Sequence, residues 1–153
     1  LTEYKDLAQR MSVADHCWDE HNGYVVKVSI TKADTERQIA YGWFNVIEEN
    51  GQPVIDRQGD MIAEETLLDA VHKFMSKSRT AKVMHAEQTD KVVGEVVESI
   101  VFTKAVQKAL GIDLGRVGWF GGMKFSDQQT WQDVKSGALP MFSIGGTGKR
   151  RSL

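Results

Sequence analysis

The sequence predicts an α+β domain: a mostly antiparallel barrel or sandwich of six or seven short strands, with three or four helices at its periphery. Two observations lead there. Most strand-like runs follow one another with no helical crossover between them, which disfavours a doubly wound parallel sheet. The few helical stretches each carry one apolar stripe or a clear cap, as helices laid against a sheet do. Length agrees, because 153 residues with 41% apolar and 26% charged side chains are enough for one domain with a real core.

Along the chain, residues 1–22 read as a polar, partly helical arm, with Tyr4, Leu7 and Met11 at helical spacing. From Tyr24 the pattern changes, and Tyr24–Ile30 is β-branched and partly alternating, a strand. Arg37–Val46 reads as the next strand. Asn50-Gly51 after it supplies hairpin-turn chemistry. Val54–Asp56 is a short extended piece. The best helix follows, with Leu67, Leu68, Val71, Phe74 and Met75 on one stripe and His72 off it.

Lys82–His85 reads as a short strand and Val92–Phe102 as a long one. Thr103 caps a small helix stopped by Gly111. Val117–Phe125 is a glycine-rich aromatic strand, and Ser126-Asp127-Gln128-Gln129 matches a capping box for a helix that ends at Gly137. Met141–Ile144 is the final strand, running into Gly145, Gly146 and Gly148. The domain proper then spans 23–148, and Lys149-Arg150-Arg151 within 149–153 reads as a solvated basic tail.

A net charge of −2 gives no basic field for nucleic acid, and no apolar run approaches the ~20 residues that span a bilayer. The single cysteine, Cys17, excludes an intrachain disulfide and fits a reducing compartment. With no signal peptide visible, the chain reads as a soluble intracellular domain; opening on Leu1 rather than Met, it reads as a processed or trimmed product.

Two positions carry candidate chemistry. His85 ends an expected strand just before a polar loop, and Ser143 lies between apolar Met141-Phe142 and a glycine-rich exit. A serine hydroxyl is a weak nucleophile until a base such as histidine takes its proton. Glycines after it free backbone N–H groups to form an oxyanion hole, with Lys149 or Arg150 as possible added charge. Residue types alone leave the pair open, because serines and histidines at strand ends are common.

Three stretches add weight. They are Tyr41–Val46 with Val54–Asp60; Val83-Met84-His85 with Val93–Lys104; and Gly118-Trp119 through Gly137 to Met141–Gly146. In order and spacing, over roughly residues 37–148, these resemble the XkdF-like phage serine proteases, relatives of the prohead maturation proteases of tailed phages. The resemblance implies a closed β-barrel ringed by helices, similar to herpesvirus assemblin, and a His85–Ser143 catalytic pair. It further implies cleavage of scaffold and major capsid proteins inside the prohead, in the host bacterial cytoplasm, by a homo-oligomer. A third catalytic member is open. Assemblin-like enzymes use a second histidine beyond the serine, and none follows Ser143 here. Other prohead proteases carry an acid near the place of Glu98, which favours it over Glu95; Glu87 and Asp90 on the loop are further alternatives. The competing class is a non-catalytic head-assembly protein that keeps the fold to bind scaffold.

No cofactor or metal is expected. Gly145–Lys149 lacks the first glycine and the Ser/Thr of a phosphate-binding loop. His16, Cys17 and His21 lack a second ligand pair for zinc, and Asp56 with Asp60 reads as a turn with solvated carboxylates rather than a calcium site. A generic esterase is disfavoured by the absence of a Gly-x-Ser-x-Gly elbow.

Overall fold

The computed structural model describes residues 2–14, 30–83 and 91–153. In order these form β1 (Thr2–Ala14), β2 (Ile30–Asp34), β3 (Ile39–Glu49), β4 (Gln52–Pro53), β5 (Asp60–Ile62), α1 (Glu64–Lys77), β6 (Thr80–Val83), β7 (Gly94–Phe102), α2 (Lys104–Leu110), β8 (Arg116–Phe125), α3 (Gln128–Ser136) and β9 (Met141–Ser152). The strands make one sheet in the order β2-β3-β8-β7-β6-β1-β5, with β4 beside β3 and β9 beside β1. Pairing is antiparallel except where β1 meets β5 and β6. The expected α+β class holds; where six or seven strands and three or four helices are expected, the described residues form nine strands and three helices.

The described sheet curls strongly into a half-barrel, and the expected closure of the barrel is not seen in it. Its two sides approach at one backbone bond, from Ile30 N–H to the Pro140 carbonyl at 2.9 Å. Of the expected strand Tyr24–Ile30, all but Ile30 lies outside the described residues.

The core fills the concave side. Phe44 on β3, Trp119 on β8 and Phe142 on β9 are at most 1% exposed, and α1 adds Leu67, Val71 and Phe74. The rings meet edge to face: Phe44–Phe142 at 4.6 Å, Phe44–Trp119 at 4.8 Å and Phe74–Trp119 at 5.5 Å between centroids. Trp119 also donates its indole N–H to the Ser99 hydroxyl at 2.8 Å, so its one polar atom enters the core with a partner. Close strand approach requires glycine at 121, where a Cβ would lie 2.2 Å from the Glu98 carbonyl oxygen and 2.7 Å from the Phe44 ring.

Local signals explain most boundaries. Asn50 and Gly51 both have positive φ, +52° and +78°, and turn β3 into β4. Thr103 accepts from Val106 N–H at 3.0 Å to start α2, and Gly111 ends it in the left-handed region. The α3 cap is Asp127, one residue after the expected Ser126, and its carboxylate accepts from Thr130 N–H at 2.9 Å.

The two ends of the chain depart from expectation. Thr2–Ala14 is not a partly helical arm but a strand flanked by β9 on one side and by β5 and β6 on the other. Helical spacing of Tyr4, Leu7 and Met11 yields to pairing along both edges. Residues 149–152 are not a solvated tail but the end of β9. Arg150 reaches Asp60 at 2.6 Å and Arg151 reaches Glu3 at 3.0 Å, and these carboxylates are 2% and 4% exposed by residue. Asp60 is therefore a buried acid with an arginine partner, not a solvated turn residue. The turn itself belongs to Asp56, whose Oδ1 accepts from Gln58 and Asp60 N–H.

Candidate functional site

Ser143 sits near the start of β9, and alternation fixes its face. Phe142 is wholly buried and Ile144 packs on the same core, so the Ser143 side chain projects from the convex side and is partly exposed. Across the sheet, Ser143 is the register partner of Ser12 on β1, and Ser12 is the partner of Lys82 on β6. Ala81 and Val83 face the core, so Lys82 shares the convex side with Ser143. Lys82 and Ser143 thus end one cross-strand row, two strand spacings or about 10 Å apart along the sheet.

β6 runs parallel to β1 and antiparallel to β9, so its C-terminal end lies at the same end of the sheet as Ser143. Of the expected strand Lys82–His85, Lys82 and Val83 lie in β6, and Met84 and His85 lie outside the described residues. His85 follows that strand end, but it lies outside the described residues, as do Glu87 and Asp90. That undescribed segment, 84–90, is followed by Lys91, which bonds the Asp127 carboxylate at the start of α3. The Lys91 bond first, then those from Thr130, hold the Asp127 carboxyl well below the usual carboxylate range.

The structure does not bring Glu98 to this row. Glu98 pairs with Gly122 on β8, at an exposed position of β7. The register Gly94↔Ala81 then carries it about 13 Å along β7, away from the C-terminal end of β6. It lies by Tyr41 instead; burial first, and the neighbouring Glu98 carboxylate second, push the Tyr41 phenol above its ordinary value. Glu95 pairs with Thr80, two residues before the Lys82 row, and three strands from β9.

Gly145–Gly148 do not form a turn around Ser143, as β9 continues through them with Gly145↔Arg10 and Gly146↔Gln9. Arg150 lies seven residues, about 23 Å, further along the strand, and its guanidinium is held by Asp60. It does not flank the serine.

Sequence reasoning did not place Lys82 on the row of Ser143. Its signal is the Ala-Lys-Val alternation of β6, but the row it joins depends on β1, which reads as an arm rather than a strand. An open cleft of about 350 Å³ lies elsewhere, beside α2, and none of its lining residues belongs to β1, β6 or β9. There, Lys104 pairs with Glu48 at 2.8 Å and Arg116 with Glu49 at 2.7 Å. Gln107 there is fully engaged with the Phe102 and Arg116 carbonyls and the Leu114 N–H. Among the described residues there is no group of three or more His, Cys, Asp or Glu able to hold a metal, and no helix long and apolar enough to cross a membrane. His16, Cys17 and His21 lie outside those residues.

Fold and site together define an α+β protein whose curled, mostly antiparallel sheet presents a strand-borne serine on its convex side. The chain belongs to the phage protein family described as "Putative phage serine protease XkdF", whose model matches residues 26–152. The match takes in β2 through β9 and leaves out β1, the strand that stands between β6 and β9. Comparison with curated proteins and with solved structures finds no match.

Proposed function

We propose that this protein is a serine endopeptidase of phage head maturation, working through Ser143 and His85. The observation that carries the reading is the placement of Ser143 on the convex side, at the sheet end where β6 leads toward His85. His85 is the second residue after Val83, and two residues of chain span at most about 7 Å. Family membership supplies the reaction class. His85 takes the hydroxyl proton as Ser143 Oγ bonds to the substrate carbonyl carbon. The proton then passes to the leaving amine, and water hydrolyses the acyl-enzyme.

Since the register carries Glu98 away from the row of Ser143, the pair works either as a dyad or with Glu87 or Asp90 orienting the histidine. The substrates are scaffold and major capsid proteins, and cleavage takes place inside the immature head in the host cytoplasm, by a homo-oligomer.

The test is co-expression with scaffold and capsid proteins, reading new termini by mass spectrometry. Wild type generates them, and Ser143→Ala and His85→Ala abolish them. Cleavage that survives Ser143→Ala ends the reading. A fluorophosphonate that fails to label Ser143 in a protein that still binds scaffold favours the non-catalytic assembly role instead.

A further inference from the structure

From the shared row and face of Lys82 and Ser143, we infer that Lys82 supplies the positive charge that stabilises the oxyanion formed at Ser143. The inference rests on the serine-protease reading and deepens it. Sequence alone points for this charge to Lys149 or Arg150, but these lie six and seven residues down β9, and Arg150 is bound to Asp60. Lys82 ends the row that Ser143 begins, on the same convex side and with Ser12 between them. β6 fixes its direction, because Ala81 is wholly buried on one side of it and Val83 packs on the same core. Lys82 is partly exposed there, on the side of the sheet that carries Ser143.

The chemistry needs such a charge. As Ser143 Oγ bonds to the carbonyl carbon, the carbonyl π pair moves onto oxygen and creates a full negative charge. When the intermediate collapses, that pair returns to re-form the carbonyl, and the C–N bond breaks as the amine leaves with the proton held by His85. Charge aimed where negative charge develops lowers the barrier without tightening ground-state binding. With about 8 Å between ammonium and oxyanion and an effective dielectric of about 20–40, Coulomb's law gives roughly a 5- to 30-fold effect on rate.

The experiment compares wild type, Lys82→Met, Lys82→Gln, Lys82→Arg and Ser143→Ala on one peptide spanning a mapped cleavage site. Affinity for a peptidyl boronic acid, whose tetrahedral adduct mimics the intermediate, is measured alongside. Both neutral variants should lose kcat by about 5- to 30-fold at unchanged KM, bind the boronate more weakly by the same factor, and be rescued by arginine. A merely structural lysine would not give matched losses in kcat and in analogue binding. Unchanged kcat in both neutral variants, a change in KM alone, or failure of arginine to rescue overturns the role of Lys82 while leaving an inactive Ser143→Ala intact. An active Ser143→Ala overturns the serine reading itself.

Discussion

Phe142→Ala tests the packing that fixes which way Ser143 points. Phe142 is wholly buried on β9 and meets Phe44 edge to face at 4.6 Å and 88°. A phenylalanine buries roughly 150–250 Å², which at about 25 cal/mol per Å² corresponds to about 4–6 kcal/mol, part of it kept by the alanine methyl. The cavity left behind adds to the loss, because the surrounding sheet relaxes only partly. The expected destabilisation is therefore about 3–5 kcal/mol. In a domain of this size it lowers the melting temperature by about 6–20 °C. Urea titration with the slope held in common between variants measures it. Ser143→Ala, on the opposite side, should stay within about 0.5 kcal/mol of wild type. A loss below about 1 kcal/mol for Phe142→Ala, or a larger loss for Ser143→Ala, would refute the alternation along β9 and with it the direction of the serine.

Two further perturbations address charges. Arg150→Ala strands the buried Asp60 carboxylate, whose Oδ1 already has no hydrogen-bond partner. It should cost about 1–3 kcal/mol and more than Asp60→Ala, measured by urea unfolding, since removing the acid leaves no buried charge behind. For Asp127, the depressed carboxyl contributes stability above the ordinary carboxylate value of about 4, and that contribution is lost as pH falls below it toward the folded value. Asp127→Asn keeps a capping side chain but loses the bond to Lys91, so the gap between wild type and variant should narrow between about pH 5 and 2 in melting experiments.

Much of the interior was legible before any coordinates. The stripe Leu67, Val71, Phe74 buries as α1, and Thr103, Gly111 and Gly137 cap helices as their chemistry demands. Asn50-Gly51 turns a hairpin for the same reason. What escaped depends on partners distant in sequence. Nothing local in Thr-Glu-Tyr-Lys-Asp marks a strand; it becomes one because β9 and β5 hydrogen-bond to it. The basic end escaped likewise, since Arg150 and Arg151 are held by the buried Asp60 and Glu3, which are far from them in sequence. At the site, Ser143 was readable as a residue of the last strand-like run, but the row it shares with Ser12 and Lys82 was not, because which neighbour a strand residue meets depends on the register of strands distant in sequence.

The earliest-made strand of the described fold is zipped to the latest, from Thr2 opposite Ser152 to Ala14 opposite Met141. A ribosome delivers residues in order, at about 5–20 per second, so the seat for the serine stays half-built until translation of this stretch is over. Such distant pairing also forms slowly, because a long loop must close first. The strand that carries Ser143 therefore gains its β1 neighbour only after both have been made, so the row on which the serine sits is a late product of folding.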